Sequence, residues 1–359
     1  MGRIKYLDGH RGVAILLVIL YHVFSRWTDI LPYGDTYSNA IFEQGFLGVQ
    51  LFFLISGFVI LMTLDKTPSF QSFMYRRWLR LFPAMLICSM LILLTSAFFS
   101  ARPNGAVELL NLLPGLLFIE PYWLEKLLGL PIESIESAFW SLYVEFKFYV
   151  IAAFLYFFVK DKKLAFTLFG LFLLWFISKL LVEQFDNRIL YMVYALTTHL
   201  SFEYFGWFAS GSCFYLFFKF EQKQWLVYGA LMAIISSILL YFGHLTTMFS
   251  ALAISLFFSA SFVTPSIQRF LESKVLIFVG FVSYPLYLLH ENMIISMSIE
   301  LPTVLEGMPL IISPLFAITL VTFISLLITK YLEVPVKNII CKVCDNFHDN
   351  YLRKNPTKD

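Results

Sequence analysis

The chain alternates between long apolar segments and short polar stretches along almost its whole length. Each apolar segment has roughly the 20 residues that an α-helix needs to cross the hydrocarbon core of a bilayer. The pattern predicts ten spans, at residues 12–31, 46–64, 81–99, 138–159, 164–182, 200–218, 225–242, 246–264, 275–295 and 310–330. It indicates an all-α fold, a polytopic transmembrane helix bundle, with residues 1–335 as one membrane domain and residues 336–359 as a short cytoplasmic tail.

Lysine and arginine are distributed unevenly between the two ends of these segments. They cluster before the first span and after the second, fourth, sixth, eighth and tenth spans, at Arg3, Lys5, Arg11, Lys66, Arg76, Arg77, Arg80, Lys160, Lys162, Lys163, Lys219, Lys223, Arg269, Lys274 and from Lys330 to Lys358. The opposite ends carry only Arg26, Arg102, Lys126, Lys179 and Arg188. Because cytoplasmic loops are enriched in basic residues, this asymmetry predicts that both termini lie in the cytoplasm.

The longest predicted loop, residues 100–137, lies on the side away from the cytoplasm. It is rich in proline, glycine and glutamate, which argues against a further span. We expect it to form an ordered or partly re-entrant cover that could roof a cavity.

The amino-acid composition is typical of a membrane protein and argues against nucleic acid or a metal ion as a partner. Of the 359 residues, 59% are hydrophobic and 14% are charged, and the mean hydropathy is +0.76. These values lie far from those of soluble domains. The net charge is only +2, so nothing indicates nucleic-acid binding. Cys341, Cys344 and His348 lack a fourth clear zinc ligand, and we expect no metal.

Arg11 and His22 stand eleven positions apart in the first apolar segment. On one helix this spacing separates them by about 20° in azimuth and about 16 Å in height, so they share a face. Ionisable groups in hydrocarbon face a bundle interior or a wet cavity, which indicates a functional site. The alternative is a boundary anchor plus a histidine hydrogen-bonded between helices. We also expect Asp8 to cap this helix and to pair with Arg11.

Arg76, Arg77 and Arg80 open the third helix at its cytoplasmic end. Arg77 and Arg80, three residues apart, point the same way on a helix. Guanidinium groups suit the bidentate recognition of phosphate, so the cluster predicts a phosphate clamp that Arg11 could complete. The alternative is a topology signal that binds no ligand.

Trp140, Ser141 and Glu145 lie near the outer end of the fourth apolar segment. Glu145 is expected about 10 Å below the outer boundary and His22 about 16 Å above the inner one, in a core about 30 Å thick. A carboxylate level with an imidazole could orient it and fix its tautomer. The alternative is a salt bridge between Glu145 and a neighbouring helix.

The ninth apolar segment ends in the stretch Ser283-Tyr284-Pro285-Leu286-Tyr287-Leu288-Leu289-His290-Glu291. A proline inside a membrane helix is tolerated where neighbours or a cavity satisfy the freed backbone groups. We expect His290 to contact substrate. The alternative is that it only marks the membrane interface.

These residues occur, in order, in motifs that resemble those of acyltransferase family 3, membrane proteins that move acyl groups, commonly acetyl, onto carbohydrates and other hydroxyl-bearing acceptors. Arg11 and His22 resemble its first-helix signature, and Arg77-Trp78-Leu79-Arg80 resembles its arginine-x-x-arginine motif. Further blocks in the second, fourth and ninth helices are similar to Gly48–Phe58, Trp140–Glu145 with Phe148-Tyr149, and Ser283–His290. His10 is a departure, because the family usually carries an apolar residue before the arginine.

The resemblance implies a multi-pass enzyme of the inner (plasma) membrane that moves an acyl group, commonly acetyl, from cytoplasmic acyl-CoA to a hydroxyl of a cell-surface or lipid-linked glycan. Its donor phosphates would bind Arg11, Arg76, Arg77 and Arg80. His22 would be catalytic with Glu145 as its support, and the substrate would contact Asp8, Trp140, Ser141, Tyr284 and His290. The residues leave open whether His22 is a general base on the acceptor hydroxyl or carries the acyl group itself.

Two other classes of protein share some of these features. A secondary transporter of a small polar solute would also place buried His, Glu and Arg in a ten-helix bundle. The chain shows no internal repeat of the kind that many transporters carry. A structural subunit would not need ionisable groups at matched depths. The sequence therefore favours the acyltransferase, with a transporter as the alternative.

Overall fold

The computed structural model describes residues 4–159 and 161–354, and every regular element among them is a helix. The principal helices of this described part are α1 (Lys5–Tyr21), α2 (Gly48–Leu64), α3 (Phe70–Thr95), α4 (Trp140–Val159), α5 (Asp161–Gln184), α6 (Phe205–Phe220), α7 (Lys223–Leu240), α8 (Leu245–Ala260), α9 (Lys274–Val304), α10 (Ile312–Leu327) and α11 (Glu333–Lys354). Shorter α-helices are Ala40–Glu43, Leu113–Leu117, Pro121–Leu128, Arg188–His199 and Pro265–Leu271. Five 3₁₀ turns, Gly45–Leu47, Ser96–Phe98, Leu109–Leu112, Ser137–Phe139 and Phe202–Tyr204, complete the connections.

Two segments are π-helical. His22–Arg26 continues α1, and Ile328–Leu332 joins α10 to α11. Such wider turns inside helices are rare and are frequent at functional sites. The first of them begins at His22 itself.

Helices α1 to α10 overlap the ten predicted apolar segments in order, and the all-α membrane bundle is confirmed. Within the described ranges, eight helical segments are long and apolar enough to cross a membrane. A ninth arises if α8 and Pro265–Leu271, which meet at 102°, form one span. The remaining predicted span, α6, has 16 residues and is about 24 Å long, shorter than a hydrocarbon core of about 30 Å.

The orientation of the termini stays a prediction. Arg3, Lys160 and Lys358, three of the basic residues behind it, lie outside the described residues. So do residues 355–359 of the predicted tail, which is helical up to Lys354.

The boundaries of two functional helices differ from the prediction. Helix α1 begins at Lys5, so Asp8 lies inside the first turns, and the N-cap residue is Ile4. The predicted cap at Asp8 is therefore wrong, although its pairing with Arg11 is confirmed. Helix α9 continues to Val304 instead of ending near residue 295, and the neighbouring loop hydrogen-bonds Glu291 and the backbone N–H of Asn292 within it.

Helix α1 packs with its backbone directly against two other helices. A Cβ atom added to Gly280 of α9 would lie 1.9 Å from the backbone oxygen of Asp8. One added to Gly48 of α2 would lie 2.3 Å from the backbone oxygen of Ala14. These approaches admit only glycine, and they hold α1 between α2 and α9.

The loop of residues 100–137 is ordered and contains none of the candidate spans, as predicted. It is tied to α9 where the backbone N–H of Asn104 donates to Asn292 Oδ1 over 2.9 Å. Arg102 stabilises the loop internally by donating to the backbone oxygens of Gly105 and Ile135. The loop therefore fixes the outer half of α9.

Candidate active site

A cavity of about 800 Å³ lies between α1, α2, α3, α4 and α9. Its aromatic and aliphatic walls carry a group of polar side chains: Arg11, Ser56, Arg77, Arg80, Ser141, Glu145, Tyr149, Ser283, Tyr284 and Tyr287. Six of the residues singled out in the sequence thus meet at one cavity although they come from four different helices. The other five, Asp8, His22, Arg76, Trp140 and His290, do not line it.

Two of these five residues, Arg76 and Trp140, lie away from the histidines and from the arginine pairs. The side chain of Arg76 on α3 is exposed at the surface of the protein. Trp140 is 39% exposed and packs edge-on against Phe53, with Tyr204 on a second side at 5.3 Å between ring centroids. Neither residue has a contact that supports the ligand-binding role expected for it.

Each guanidinium group at the cavity has a different partner. Arg11 Nη1 lies 2.9 Å from Asp8 Oδ1. Arg77 Nη2 donates to Thr63 Oγ1 over 3.2 Å, and its buried Nε has no hydrogen-bond partner in the described part of the chain. Arg80 Nη1 lies 3.0 Å from Glu333 Oε1. Buried donors are nearly always satisfied, so the Nε of Arg77 is an exception among the groups of this cavity wall.

Glu145 is held inside the cavity wall rather than beside His22. It accepts a hydrogen bond from Tyr149 OH over 2.6 Å and a short one from Ser56 Oγ. The carboxylate next to His22 is that of Glu291, at 3.6 Å between Glu291 Oε1 and His22 Nε2. Glu145 does not lie beside His22, because it belongs to α4, whereas α1 packs chiefly against α9 and α2.

His22 and His290 form a pair between the C-terminal end of α1 and the middle of α9. Their ring centroids are 4.8 Å apart and nearly perpendicular, and His290 Nε2 lies 3.3 Å from His22 Nδ1. His22 Nδ1 also lies 2.9 Å from the backbone oxygen of Val18, and His290 Nδ1 lies 2.8 Å from that of Tyr287. His22 therefore contacts α9, and Arg11 lines the same cavity as Tyr284 and Tyr287 of α9.

The backbone contacts fix the tautomers of the two rings. A carbonyl oxygen only accepts hydrogen bonds, so Nδ1 of each histidine carries a proton. His290 Nε2 then accepts from the shared Nδ1–H of His22. His22 Nε2 is left as the atom that takes up or releases a proton, and it faces Glu291.

The carboxylate of Glu291 is held by the start of α4. It accepts from the backbone N–H of Ala138 over 2.8 Å and, through a short hydrogen bond, from Ser137 Oγ. Asn292, the next residue of α9, donates two hydrogen bonds to Glu136 Oε2, one from its backbone N–H over 3.1 Å and one from its side-chain Nδ2 over 2.6 Å. The loop before α4 and the outer half of α9 therefore exchange hydrogen bonds through two carboxylates.

Tyr287 connects this pair of histidines to the cavity. Its side chain lines the cavity, and its ring lies 5.4 Å from that of His290. Its hydroxyl donates to the backbone oxygen of Ala138 over 2.8 Å and lies 2.7 Å from Ser141 Oγ. The same start of α4 thus orients Glu291, Ser141 and Tyr287.

Three features of the site were not assigned a role from the sequence: Glu291, Tyr287 and the π-helix at His22. Glu291 directly follows His290, and a carboxylate beside a histidine near mid-membrane was a usable signal. Nothing local indicates that α9, rather than α4, supplies the partner of His22.

The comparisons with known proteins cover nearly the whole chain at the level of the family. The family model of the acyltransferase 3 domain matches residues 4–331. Peptidoglycan O-acetyltransferase OatA of Listeria monocytogenes is 31% identical over 176 residues, which are 44% of this chain and 25% of that protein. O-acetyltransferase OatA of Staphylococcus aureus is 26% identical over 157 residues, 40% of this chain and 23% of that protein.

A putative O-acetyltransferase of Staphylococcus aureus is 27% identical over 165 residues, 42% of this chain and 24% of that protein. The chain thus spans about a quarter of the length of these relatives. No solved structure matches. The family match over residues 4–331 agrees with the helical membrane bundle, and the chain belongs to the acyltransferase 3 family.

Proposed function

We propose that this protein moves an acyl group, acetyl in the simplest case, from acyl-CoA to a hydroxyl of a cell-envelope glycan, as a multi-pass protein of the inner (plasma) membrane. The observation that carries the proposal is the pairing of His22 with Glu291, which is linked to the arginine-lined cavity because His290, the neighbour of His22, packs against Tyr287 of the cavity wall. The relatives add the acceptor class, since one of them is named for O-acetylation of peptidoglycan.

The donor occupies the cavity in this proposal. Arg11, Arg77 and Arg80 supply positive charge toward one end of it, which suits the phosphates of a CoA ester. Tyr287 lines the cavity and adjoins the histidine pair, so a thioester that reaches past Tyr284 comes to His22. Phe52 and Phe53 line the walls between and suit the apolar part of the donor.

The chemistry is a base-catalysed transfer. His22 Nε2 takes the proton of the acceptor hydroxyl while its oxygen attacks the thioester carbonyl carbon. The C–O bond forms, the C–S bond breaks, and the imidazolium returns its proton to the departing thiolate. Glu291, fixed by Ala138 and Ser137, stabilises the imidazolium between these steps.

An acyl relay on His22 is the other path that the residues permit. In this path His22 Nε2 forms a covalent bond to the acyl carbon instead of taking up a proton. Nε2 faces the Glu291 carboxylate at 3.6 Å, an arrangement that favours proton transfer at this atom. The proposal therefore takes direct transfer as the mechanism.

Membrane vesicles supplied with labelled acetyl-CoA and purified glycan test the proposal. We expect label in the glycan with the unaltered protein and none with His22→Ala. His244→Ala is the matched control, because His244 is an exposed histidine at the start of α8. Full activity of His22→Ala would overturn the mechanism, and uptake of solute without glycan label would assign the protein to the transporters.

A further inference from the structure

A second cavity, of about 1090 Å³, lies between α1, α3, α9 and the junction of α10 with α11. Its charged side chains are Asp8, Arg11, Arg80, Glu333 and Lys337. Arg11, Arg80 and Tyr284 line both this cavity and the one that leads to the histidines. These three residues form the boundary between the two cavities, so a ligand long enough to occupy both passes along them.

The two boundary arginines are neutralised in different ways. Asp8 lies on the same helix as Arg11, three residues away, with a side chain only 7% exposed and a backbone oxygen pressed against Gly280. That pair is part of the packing of α1. Glu333 comes from a distant part of the chain and meets an Arg80 side chain that is 54% exposed. An ion pair with so exposed a partner contributes little stability and is readily exchanged for another anion.

Helix α11 begins at Glu333, directly after the π-helix Ile328–Leu332. Lys337 follows Glu333 by four residues, one helical turn further, and lines the same cavity. A carboxylate on Arg80 and an exposed ammonium group therefore lie on one face of α11. The wider turn before them places this face over the opening of the second cavity.

The charge of the cavity also indicates its ligand. Three cations and two carboxylates line it, so it carries a single excess positive charge while Glu333 pairs with Arg80. When Glu333 turns away from Arg80, the excess positive charge of the cavity rises from one to two. An anion with several charges gains from this exchange more than a singly charged one does.

We propose that the second cavity holds the phosphate-bearing nucleotide end of the donor, with Glu333 occupying the place of a phosphate on Arg80 until the donor displaces it. Lys337 binds a further phosphate of the same ligand. This inference rests on the proposed function, because it assumes that the donor is a CoA ester. It makes Glu333 and Lys337 determinants of donor affinity rather than catalytic residues.

Donor kinetics of the full chain in membrane vesicles test the inference. Glu333→Gln removes the competing charge, so the KM for acetyl-CoA should fall about two- to fivefold with kcat unchanged. Lys337→Gln should raise the KM for acetyl-CoA by a similar factor. It should leave the KM for acetyl-dephospho-CoA, which lacks one phosphate, closer to that of the unaltered protein.

Two variants serve as matched controls. Lys342→Gln changes an exposed lysine on α11, and Glu272→Gln changes an exposed glutamate at the C-terminus of Pro265–Leu271. Neither residue lines a cavity. Inhibition by adenosine 3′,5′-bisphosphate supplies a second readout, and we expect it to strengthen in Glu333→Gln and weaken in Lys337→Gln.

The outcomes separate this inference from the proposed function. An unaltered protein that transfers no acyl group contradicts the proposed function itself. An active protein whose KM and inhibition are the same in Glu333→Gln, Lys337→Gln and both controls overturns only the role of the second cavity. A fall in kcat without a change in KM in Glu333→Gln would also overturn it, since that result assigns Glu333 to the helix packing.

Discussion

Glu291 accepts a 2.8 Å hydrogen bond from the backbone N–H of Ala138, and the same carboxylate lies 3.6 Å from the ring of His22. The start of α4 thus fixes a group of α9 that faces a histidine of α1. Segments that are far apart in sequence thus meet at one contact.

The first prediction compares the two carboxylates that sequence and structure offer as partners of His22. Glu291→Gln keeps the hydrogen bonds but removes the charge that stabilises the imidazolium. We expect kcat for acyl transfer to fall about a hundredfold. Glu145→Gln should have a smaller effect on kcat, because Glu145 bonds Ser56 and Tyr149 instead of His22.

Single-turnover rates with labelled donor, at equal protein content in the membrane, measure both effects. A larger fall in kcat in Glu145→Gln than in Glu291→Gln would assign the supporting role to Glu145.

The second prediction uses two adjacent arginines. Arg77→Lys removes the planar fork and the buried Nε that lacks a partner, so the KM for acetyl-CoA should rise about tenfold. Arg76→Lys is the matched control, because Arg76 is exposed and lines no cavity. Both variants keep the positive charge that orients the chain in the membrane. Equal donor kinetics in the two would reduce the cluster to a topology signal.

The third prediction concerns the glycine contact between α1 and α9. Gly280→Ala places a methyl group 1.9 Å from the Asp8 backbone oxygen, and the helices must separate. We expect a loss of about 1–3 kcal/mol of stability. Gly170→Ala in α5 is the control, since nothing lies within 4 Å of its added Cβ.

Thermal unfolding in detergent, followed by the amount of monodisperse protein, gives the comparison. An unchanged melting temperature in Gly280→Ala would mean that α1 and α9 do not touch as closely as described.

The fourth prediction concerns pH and the loop before α4. Burial, together with the Glu291 carboxylate, raises the pKa of Glu136 from its ordinary value of 4.5 to about 8. Between these two values the folded protein holds a proton that the unfolded chain has released. Stability contributed by this group is therefore present below pH 4.5 and is lost as the pH rises toward 8.

Glu136→Gln keeps the shape and removes the titration. Its melting temperature should decline less between pH 5 and pH 8 than that of the unaltered protein. Parallel profiles for the two proteins would show that Glu136 is ionised in the fold across this range.

The fifth prediction tests topology at the short helix α6. Asp186 and Glu221 lie on either side of the segment that contains α6, and a reporter can be fused after each of them. The distribution of basic residues predicts that the fusion after Asp186 is external and that the fusion after Glu221 is cytoplasmic. A fusion after Arg102 should also read external. The same reading at Asp186 and Glu221 would mean that α6 does not cross the membrane.

The sequence alone determined the membrane class and the approximate positions of helices α1 to α10. This was possible because every segment that crosses the hydrocarbon needs about 20 apolar residues and internal backbone hydrogen bonds. Such a run consists of consecutive residues, so it can be recognised directly in the sequence. It also identified Arg11, Arg77, Arg80, His22 and His290, since ionisable groups inside apolar runs are rare.

The partners of these residues were decided only by the tertiary structure. Which helix faces α1 depends on backbone contacts at Gly280 and Gly48, and those depend on shapes that no local pattern records. Depth along the membrane can be counted from the sequence, but azimuth between different helices cannot. For this reason Glu145 and Glu291 were equally available in the sequence, and the packing of α1 against α9 placed Glu291 beside His22.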